Sequence, residues 1–123
     1  MKINDPEILA EVTAAFDAYE QALMANDIET LDALFWAAPQ TVRYGVGECL
    51  YGQEAILAFR KARPGGAPQR QLTRTVITTF GDDYAVANTE FERDGSSCVG
   101  RQSHAWVRFP ESWRIVSAHV SMM

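Results

Sequence analysis

The second half of the chain is a run of strand-like segments separated by short turn signals, and this pattern limits the fold more than any other feature. Residues 73–79 (TRTVITT) are dense in β-branched side chains, which favour strands. Turn residues interrupt the later segments at 81–83 (GDD), 94–95 (DG) and 110–112 (PES). Because short connections of this kind join antiparallel neighbours, residues 70–121 are predicted to form an antiparallel meander.

The first half of the chain is predicted to be mainly helical. Residues 4–7 (NDPE) combine capping side chains, a proline and an acid, which is typical of a helix start. The apolar residues that follow recur at helical spacing: Ile8, Val12, Ala15, Phe16, Tyr19 and Leu23. Further helices are predicted at 28–35 and 53–63, with short strands at 41–45 and 48–51 between them.

Helices followed by a meander indicate an α+β fold. We expect a cone-shaped, curved and mostly antiparallel sheet wrapped around the N-terminal helices, as one domain over residues 1–123. The length suits a single hydrophobic core.

The formal net charge of −5 argues against nucleic acid or an anionic membrane as a partner. The N-terminus has no apolar signal core and no apolar run is long enough to span a bilayer, so a soluble, cytoplasmic protein is expected.

Cys49 and Cys98 lack the spacing of a metal site and are expected to be reduced thiols. With two histidines in the chain, neither a metal nor an organic cofactor is expected.

The register of the meander predicts which residues share a face, because directly paired residues point the same way. A two-residue turn at 94–95 and a three-residue turn at 110–112 place bulky apolar side chains at one end of the inner face. Six polar residues then follow at its open end: Arg74, Asn88, Glu90, Arg101, Ser103 and His119. All except the acid Glu90 are predicted to bind a small anion. A turn shorter by one residue would instead direct His104 and Trp106 inward.

Each polar residue also has a simpler explanation. The arginines could pair with Glu90, Ser103 could bond within its strand, and His119 could be a core histidine. Tyr19, on the inward stripe of the first helix, could simply bury its ring, and Arg43 could be solvated. Taken together, however, Tyr19 and Arg43 are both expected to reach the mouth of the cone, where the cation favours phenolate.

Several segments carry a family resemblance: Tyr19, residues 43–45 (RYG), Glu48, 51–52 (YG), 59–60 (FR), Arg63, 100–103 (GRQS) and 113–121 (WRIVSAHVS). With the order of elements, they make the chain resemble the SnoaL-like superfamily. This is the cystatin-like α+β cone fold of nuclear transport factor two, ketosteroid isomerases and polyketide cyclases. Within it, the chain is most similar to the AtzH-like family, which includes the HpxZ-like proteins of oxalurate catabolism.

The resemblance implies a homodimer formed through the outer face of the sheet, with one pocket in each cone. It also implies a role in catabolism of ureides and triazine-ring products, with a possible amidase partner. The expected reaction is decarboxylating hydrolysis of 1,3-dicarboxyurea to allophanate. The family's tyrosine and arginine correspond to Tyr19, as proton-transfer group, and Arg43, as carboxylate clamp. Arg101 is expected to hold the second carboxylate.

Two rival functions remain open. Isomerase or cyclase chemistry needs a carboxylate base in an apolar cavity, and Glu90 is the only acid of the meander predicted to face inward. A non-catalytic role, as an assembly partner of an amidase, needs only the fold and an outer interface. The residues expected to supply that interface are Trp106, Val116, Ala118 and Val120.

Overall fold

A computed structural model describes residues 1–123 and contains three helices and six strands. In chain order the elements are α1 (Pro6–Ala25), α2 (Ile28–Leu34), β1 (Val42–Tyr44), β2 (Cys49–Tyr51), α3 (Gln53–Ala62), β3 (Arg70–Phe80), β4 (Tyr84–Arg93), β5 (Gly100–Arg108) and β6 (Trp113–Met122). Every predicted helix and strand is therefore present, with ends that differ from the prediction by a few residues at most. No helix combines the length and the apolar character needed to cross a membrane.

The first helix forms as its sequence predicts. The Asp5 side chain accepts a hydrogen bond from the Glu7 backbone N–H at 3.0 Å, with proline in the first turn. This cap satisfies one of the N–H groups that a helix start leaves unpaired. Asn26, in the left-handed conformation, ends the helix. The helix buries one stripe against the sheet, formed by Ile8, Val12, Phe16, Tyr19, Ala22 and Leu23.

All six strands form one sheet in the order β2-β1-β6-β5-β4-β3. Neighbours are antiparallel except β1 and β6, which pair in parallel with Arg43 opposite Ala118. The crossover through α2 carries the chain from α1 to β1, beside the C-terminal strand. The result is the α+β cone, with α1 and the inner face of the sheet enclosing one hydrophobic core.

Burial identifies the inner face of the sheet. The buried residues on the long strands are Thr79, Ala85, Ala87, Thr89, Phe91, Gly100, Gln102, His104, Trp106, Trp113, Ile115, Ala118 and Val120. On β4 and β5 these positions alternate strictly with exposed or half-buried ones, as expected for a sheet with one covered face. On β6 the alternation changes phase between Ile115 and Ala118.

A β-bulge in β6 explains this change of phase. Ser103 pairs with His119 and Ala105 with Ser117, as predicted, but Trp106 then pairs with Ile115. Val116 is thus an extra residue, and an extra residue reverses the face of every side chain beyond it. The predicted inner face is correct for Trp113 and Ile115, and wrong for the polar end of the strand.

The connection between β4 and β5 also differs from the prediction. A turn closes at 94–95, with a hydrogen bond of 3.1 Å from the Ser96 N–H to the Arg93 carbonyl. However, β5 begins only at Gly100, so Asn88 pairs with Ser103 and Glu90 with Arg101. This shift of two residues leaves each side chain on its own face. Cys98 therefore lies in the loop and is exposed, as Cys49 is.

The polar set predicted to line the mouth of the cone lies on the outer face. Asn88, Arg101, Ser103 and His119 are all exposed, and so is Glu90. Conversely, three of the four residues expected at an outer interface are buried inside the cone: Trp106, Ala118 and Val120. The alternative faces, with His104 and Trp106 inward, are the correct ones. The predicted three-residue turn at 110–112 is wrong, but the connection is longer rather than shorter: Arg108, not Phe109, pairs with Trp113. This change directs His104 and Trp106 inward, and the bulge does the same for Ala118 and Val120.

Candidate functional site

Tyr19 lies at the centre of a polar cluster inside the cone. Its position on the inward stripe of α1 leaves the residue only 1% exposed. Its ring meets the ring of His104 edge-on, with centroids 4.7 Å apart. The phenol oxygen accepts a hydrogen bond of 3.1 Å from Nη2 of Arg60. The phenol is thus held by a cation in a site sheltered from bulk water.

Arg60 reaches Tyr19 from α3, where it occupies a position that would normally be apolar. Ile56 and Arg60 are the two buried residues of this helix, and their spacing of four places them on one face. Arg60 is 6% exposed, and its Nε has no hydrogen-bond partner. Its guanidinium carbon lies 5.7 Å from the centroid of the Phe35 ring. Arg60 is therefore a buried cation packed against aromatic rings.

Arg43, on β1, is the second buried arginine, also 6% exposed. Its Nη1 forms an ion pair of 2.8 Å with Oε1 of Glu48, while its Nε lacks a partner. A Cβ at Gly45 would lie 1.7 Å from this carboxylate oxygen, so only glycine leaves room for the pair. This close approach explains why glycine follows Arg43 and Tyr44 in the RYG segment and why Glu48 stands nearby.

Arg70, at the start of β3, is the third cation, and its side chain is 5% exposed. Its Nη2 donates to Glu20 at 2.6 Å and to the side-chain oxygen of Gln102 at 2.9 Å. Its guanidinium carbon lies 4.3 Å from the Phe91 ring centroid, a distance typical of a cation–π contact. The carboxylate, the amide and the ring together fix this side chain at the wall of the cone.

A narrow cavity opens onto this cluster. It is lined by Tyr19, Leu23, Arg43, Arg63, Ala67, Pro68, Arg70, Arg93, Gln102 and Val120. The space open to the centre of a water-sized sphere is about 20 Å³. A ligand larger than a water molecule or two must therefore displace a lining side chain, and Arg63 and Pro68 belong to the least buried part of the wall.

The charge of the cavity is strongly positive. Its lining contains no carboxylate. The guanidinium groups in and around it are those of Arg43, Arg60, Arg63, Arg70 and Arg93, and the carboxylates paired with them are those of Glu20 and Glu48. Partial burial and the charge of Arg43 lower the pKa of Arg63, as expected where cations are crowded. This excess of cations suits a small anion with more than one negative charge.

The same cations act on the phenol. Burial by itself raises the pKa of Tyr19, but the charges of Arg60, Arg43 and Arg70, with the hydrogen bond from Arg60, outweigh it. The pKa of Tyr19 is therefore lowered from its usual 10.0. A phenol with a lowered pKa is a stronger acid, and its phenolate is stabilised by the adjacent guanidinium.

His104, on β5, forms the inner side of the cluster. It is 1% exposed, and neither ring nitrogen has a hydrogen-bond partner. Burial, followed by repulsion from Arg70, Arg43 and Arg60, holds the pKa of His104 well below 6.5. The imidazole is therefore neutral near pH 7 and adds no charge to the cavity. Gln102 Nε2 and Trp106 Nε1 are likewise buried without partners.

The structure thus brings together two of the predicted site residues and separates four. Tyr19 and Arg43 line one cavity. On the other side of the sheet, Ser103 donates to Asn88 at 2.6 Å, Arg101 donates to Ser121 at 3.2 Å, and the His119 ring lies 5.6 Å from that of Tyr44. These four residues cannot contact a ligand held by Tyr19. Glu90 also faces outward, so the base needed by an isomerase is not in the cavity.

The residues that the sequence prediction missed are Arg60, Arg63, Arg70, Arg93, Gln102 and His104. Two signals could have found some of them. Arg60 follows Ile56 by four residues, at an apolar helix position occupied by a charge. In β6 the apolar residues change from odd to even positions after Ile115, which is the signature of the bulge. Arg70 and Arg93 become neighbours of Tyr19 only through the fold. No group of three or more potential metal-ligating side chains converges anywhere in the chain.

Comparisons with known proteins identify the family and the fold. The family model described as AtzH-like matches residues 1–123. A protein of unknown function from the DUF3225 family of Pectobacterium atrosepticum SCRI1043 is 59% identical, with a TM-score of 0.96 over 98% of this chain and 94% of that one. A cystatin-like fold protein from Burkholderia xenovorans LB400 is 50% identical, with a TM-score of 0.95 over 100% and 97% of the two chains.

More distant structures share the fold alone. A nuclear transport factor 2-like superfamily protein from Salmonella enterica serovar Typhimurium is 24% identical, with a TM-score of 0.77 over 95% of this chain and 92% of that one. No functionally curated protein matches the chain.

Proposed function

Because the chain belongs to the AtzH-like family, we propose that it is a decarboxylating amidohydrolase that converts 1,3-dicarboxyurea to allophanate. The observation that carries the proposal is the phenol of Tyr19, which lies in a cationic cavity with Arg43 in the same wall. The proposed steps use only protein side chains and water.

The substrate fits the charge of the cavity. Dicarboxyurea is a small planar dianion, and guanidinium groups bind carboxylates through paired hydrogen bonds. Arg43 has a free Nε beside its ion pair with Glu48, so it can hold one carboxylate while the glutamate keeps it in position. Arg63, at the more open side of the cavity, moves to admit the substrate and meets the second carboxylate.

Tyr19 supplies the proton for the bond cleavage. As the bond between the urea nitrogen and the carboxylate carbon breaks, its electron pair stays on nitrogen and takes the proton of the Tyr19 hydroxyl. The carboxylate leaves as carbon dioxide, and the other product is allophanate. The resulting phenolate, stabilised by Arg60, then takes a proton from water, and the hydroxide formed converts carbon dioxide to bicarbonate. The hydrogen bond from Arg60 stabilises this phenolate and so favours the donation.

The test is turnover of dicarboxyurea generated in situ, measured as carbon dioxide and allophanate released. Tyr19→Phe should lower kcat by about 10²–10⁴-fold, because it removes the proton donor. Arg43→Ala should lower kcat and also raise KM, because it removes a contact with a carboxylate of the substrate. Matched controls are Tyr84→Phe, an exposed tyrosine, and Arg114→Ala, on the outer face, which should both retain wild-type turnover.

Equal turnover in wild type and Tyr19→Phe would remove Tyr19 from the mechanism. A wild-type protein without turnover would favour the second candidate, a non-catalytic assembly partner of an amidase. The observation that favours this candidate is the uncovered outer face of the sheet, where Val76 is 50% and Tyr84 41% exposed. We propose that two chains associate through this face. Light scattering, which measures the mass of the protein in solution, tests this proposal.

A further inference from the structure

Arg60 differs from the other buried arginines in what it binds. Those arginines each hold a glutamate carboxylate, at 2.8 Å and 2.6 Å between nitrogen and oxygen. Arg60 has no carboxylate partner, and its one hydrogen bond goes to the phenol oxygen of Tyr19. The rest of the guanidinium packs over the rings of Phe35 and Tyr19. Arg60 is thus a buried charge whose only hydrogen-bonded counterpart is a group that can become an anion.

Two anions can compensate this charge. One is the phenolate of Tyr19, 3.1 Å from Nη2 of Arg60. The other is a carboxylate bound in the cavity that Tyr19 lines, beside the phenol that Arg60 holds from behind. A buried cation without a counter-ion is costly, but two anions side by side repel one another and disfavour a second ionisation. The cavity therefore favours one of the two anions near Arg60 at a time.

We propose that Tyr19 and a bound carboxylate alternate as the counter-ion of Arg60, so that a small dicarboxylate and one proton bind together. The inference deepens the proposed function, on which its ligand class rests. In that reaction, a bound substrate carboxylate favours the protonated form of Tyr19, which later donates its proton to the urea nitrogen. Arg60 acts through Tyr19 and is a positioning residue.

The surroundings of Tyr19 leave it as the group that titrates at alkaline pH. The ionisable groups that face Tyr19 from the neighbouring elements are Arg43, Arg60, Arg63, Arg70, Arg93 and His104. Two carboxylates pair with these groups: Glu48 with Arg43, and Glu20 with Arg70. Arginine side chains stay charged and glutamates stay ionised throughout this range. His104 is neutral there because its pKa is well below 6.5.

The test uses glutarate, a stable dicarboxylate of the same chain length as dicarboxyurea. The titration of Tyr19 is followed by ultraviolet absorbance of tyrosinate, as the difference between wild type and Tyr19→Phe. Saturating glutarate should move this titration to higher pH. By reciprocity, the Kd for glutarate should rise about tenfold per pH unit above the titration of the free protein. Above that titration, calorimetry of the wild type in buffers of different ionisation enthalpy should show uptake of one proton per glutarate.

Variants separate the coupling from simple charge attraction. In Tyr19→Phe, glutarate binding should lose this pH dependence. In Arg60→Met, Tyr19 should titrate at higher pH, whereas Arg60→Lys should restore part of the change. Tyr84→Phe, at an exposed tyrosine, should leave the coupling intact. The calorimetric measurement does not depend on whether any variant folds.

The inference is overturned if saturating glutarate leaves the titration of Tyr19 in place, if binding takes up no proton, or if glutarate does not bind. It stands independently of turnover. Coupled binding without turnover of dicarboxyurea would refute the proposed reaction and keep the counter-ion exchange. Turnover without coupling would refute the counter-ion exchange and keep the proposed reaction.

Discussion

Replacing His104 with glutamine should change how the stability of the fold depends on pH. His104 is buried with both ring nitrogens unpartnered, and burial together with three arginines holds its pKa well below 6.5. In the unfolded chain the same side chain has an ordinary pKa. Between these two values only the unfolded state binds the proton, so acidification should favour unfolding. The contribution is fully present above pH 6.5 and is lost as the pH falls below it.

The size of this effect follows from proton linkage. For each proton that only the unfolded state binds, the free energy of unfolding falls by about 1.4 kcal/mol per pH unit. At pH 5 the loss from His104 should approach about 2 kcal/mol, the limit reached when the folded protein binds no proton at this site. Such a loss is a large part of the free energy of unfolding of a small domain, which is about 5–15 kcal/mol.

The assay is urea denaturation monitored by tryptophan fluorescence between pH 7.5 and 5.0. Carboxylates also titrate in this range, but they contribute equally to wild type and variant. The difference between wild type and His104→Gln therefore isolates His104, and its dependence on pH is the readout rather than its absolute value. His119→Gln, which replaces the exposed histidine, is the matched control and should follow the wild type. If wild type and His104→Gln lose stability in parallel, the reasoning about His104 is refuted.

Two further substitutions test the packing around Arg70, which contacts both Phe91 and Glu20. Gly100→Ala should lower the free energy of unfolding by about 1–3 kcal/mol, because the added Cβ would lie 2.2 Å from the ring of Phe91. Gly47→Ala, which meets nothing within 4 Å, is its control, and equal urea midpoints would contradict the prediction. Glu20→Gln should lower the free energy of unfolding by about 3 kcal/mol, because it leaves the guanidinium of Arg70 without its counter-ion. A thermal unfolding midpoint equal to that of wild type would show that the ion pair contributes nothing.

The elements of the fold could be predicted because their signals are local. The cap at Asp5, the apolar stripe of α1 and the turn residues before β4 all act within a few positions of the chain. The start and end of β4, Tyr84–Arg93, agree with the prediction. The pairing of Arg74 with Glu90 also follows from the short turn at 81–83, and it is present in the sheet.

The faces of the sheet could not be predicted from turn lengths alone. One extra residue at Val116 reverses the orientation of Ser117 to Val120 relative to Ile115. A register argument carried across this point places His119 inside and Val120 outside, which is the reverse of the structure. The error is large because the side-chain period of a strand is two, so a single residue changes every later assignment.

The sequence by itself determined the order of helices and strands, the cone, the family and the two residues, Tyr19 and Arg43, that the family resemblance pointed to. Tertiary structure alone decided their surroundings. It placed Arg60 and Arg70, which come from elements distant in sequence, around the phenol of Tyr19. The physical reason is that helix and strand signals depend on residues that are close together in the sequence. The electrostatic environment of a buried group depends instead on contacts between residues that are distant in sequence. Here it also depends on one bulge, which decides which side chains of β6 face the inside of the cone.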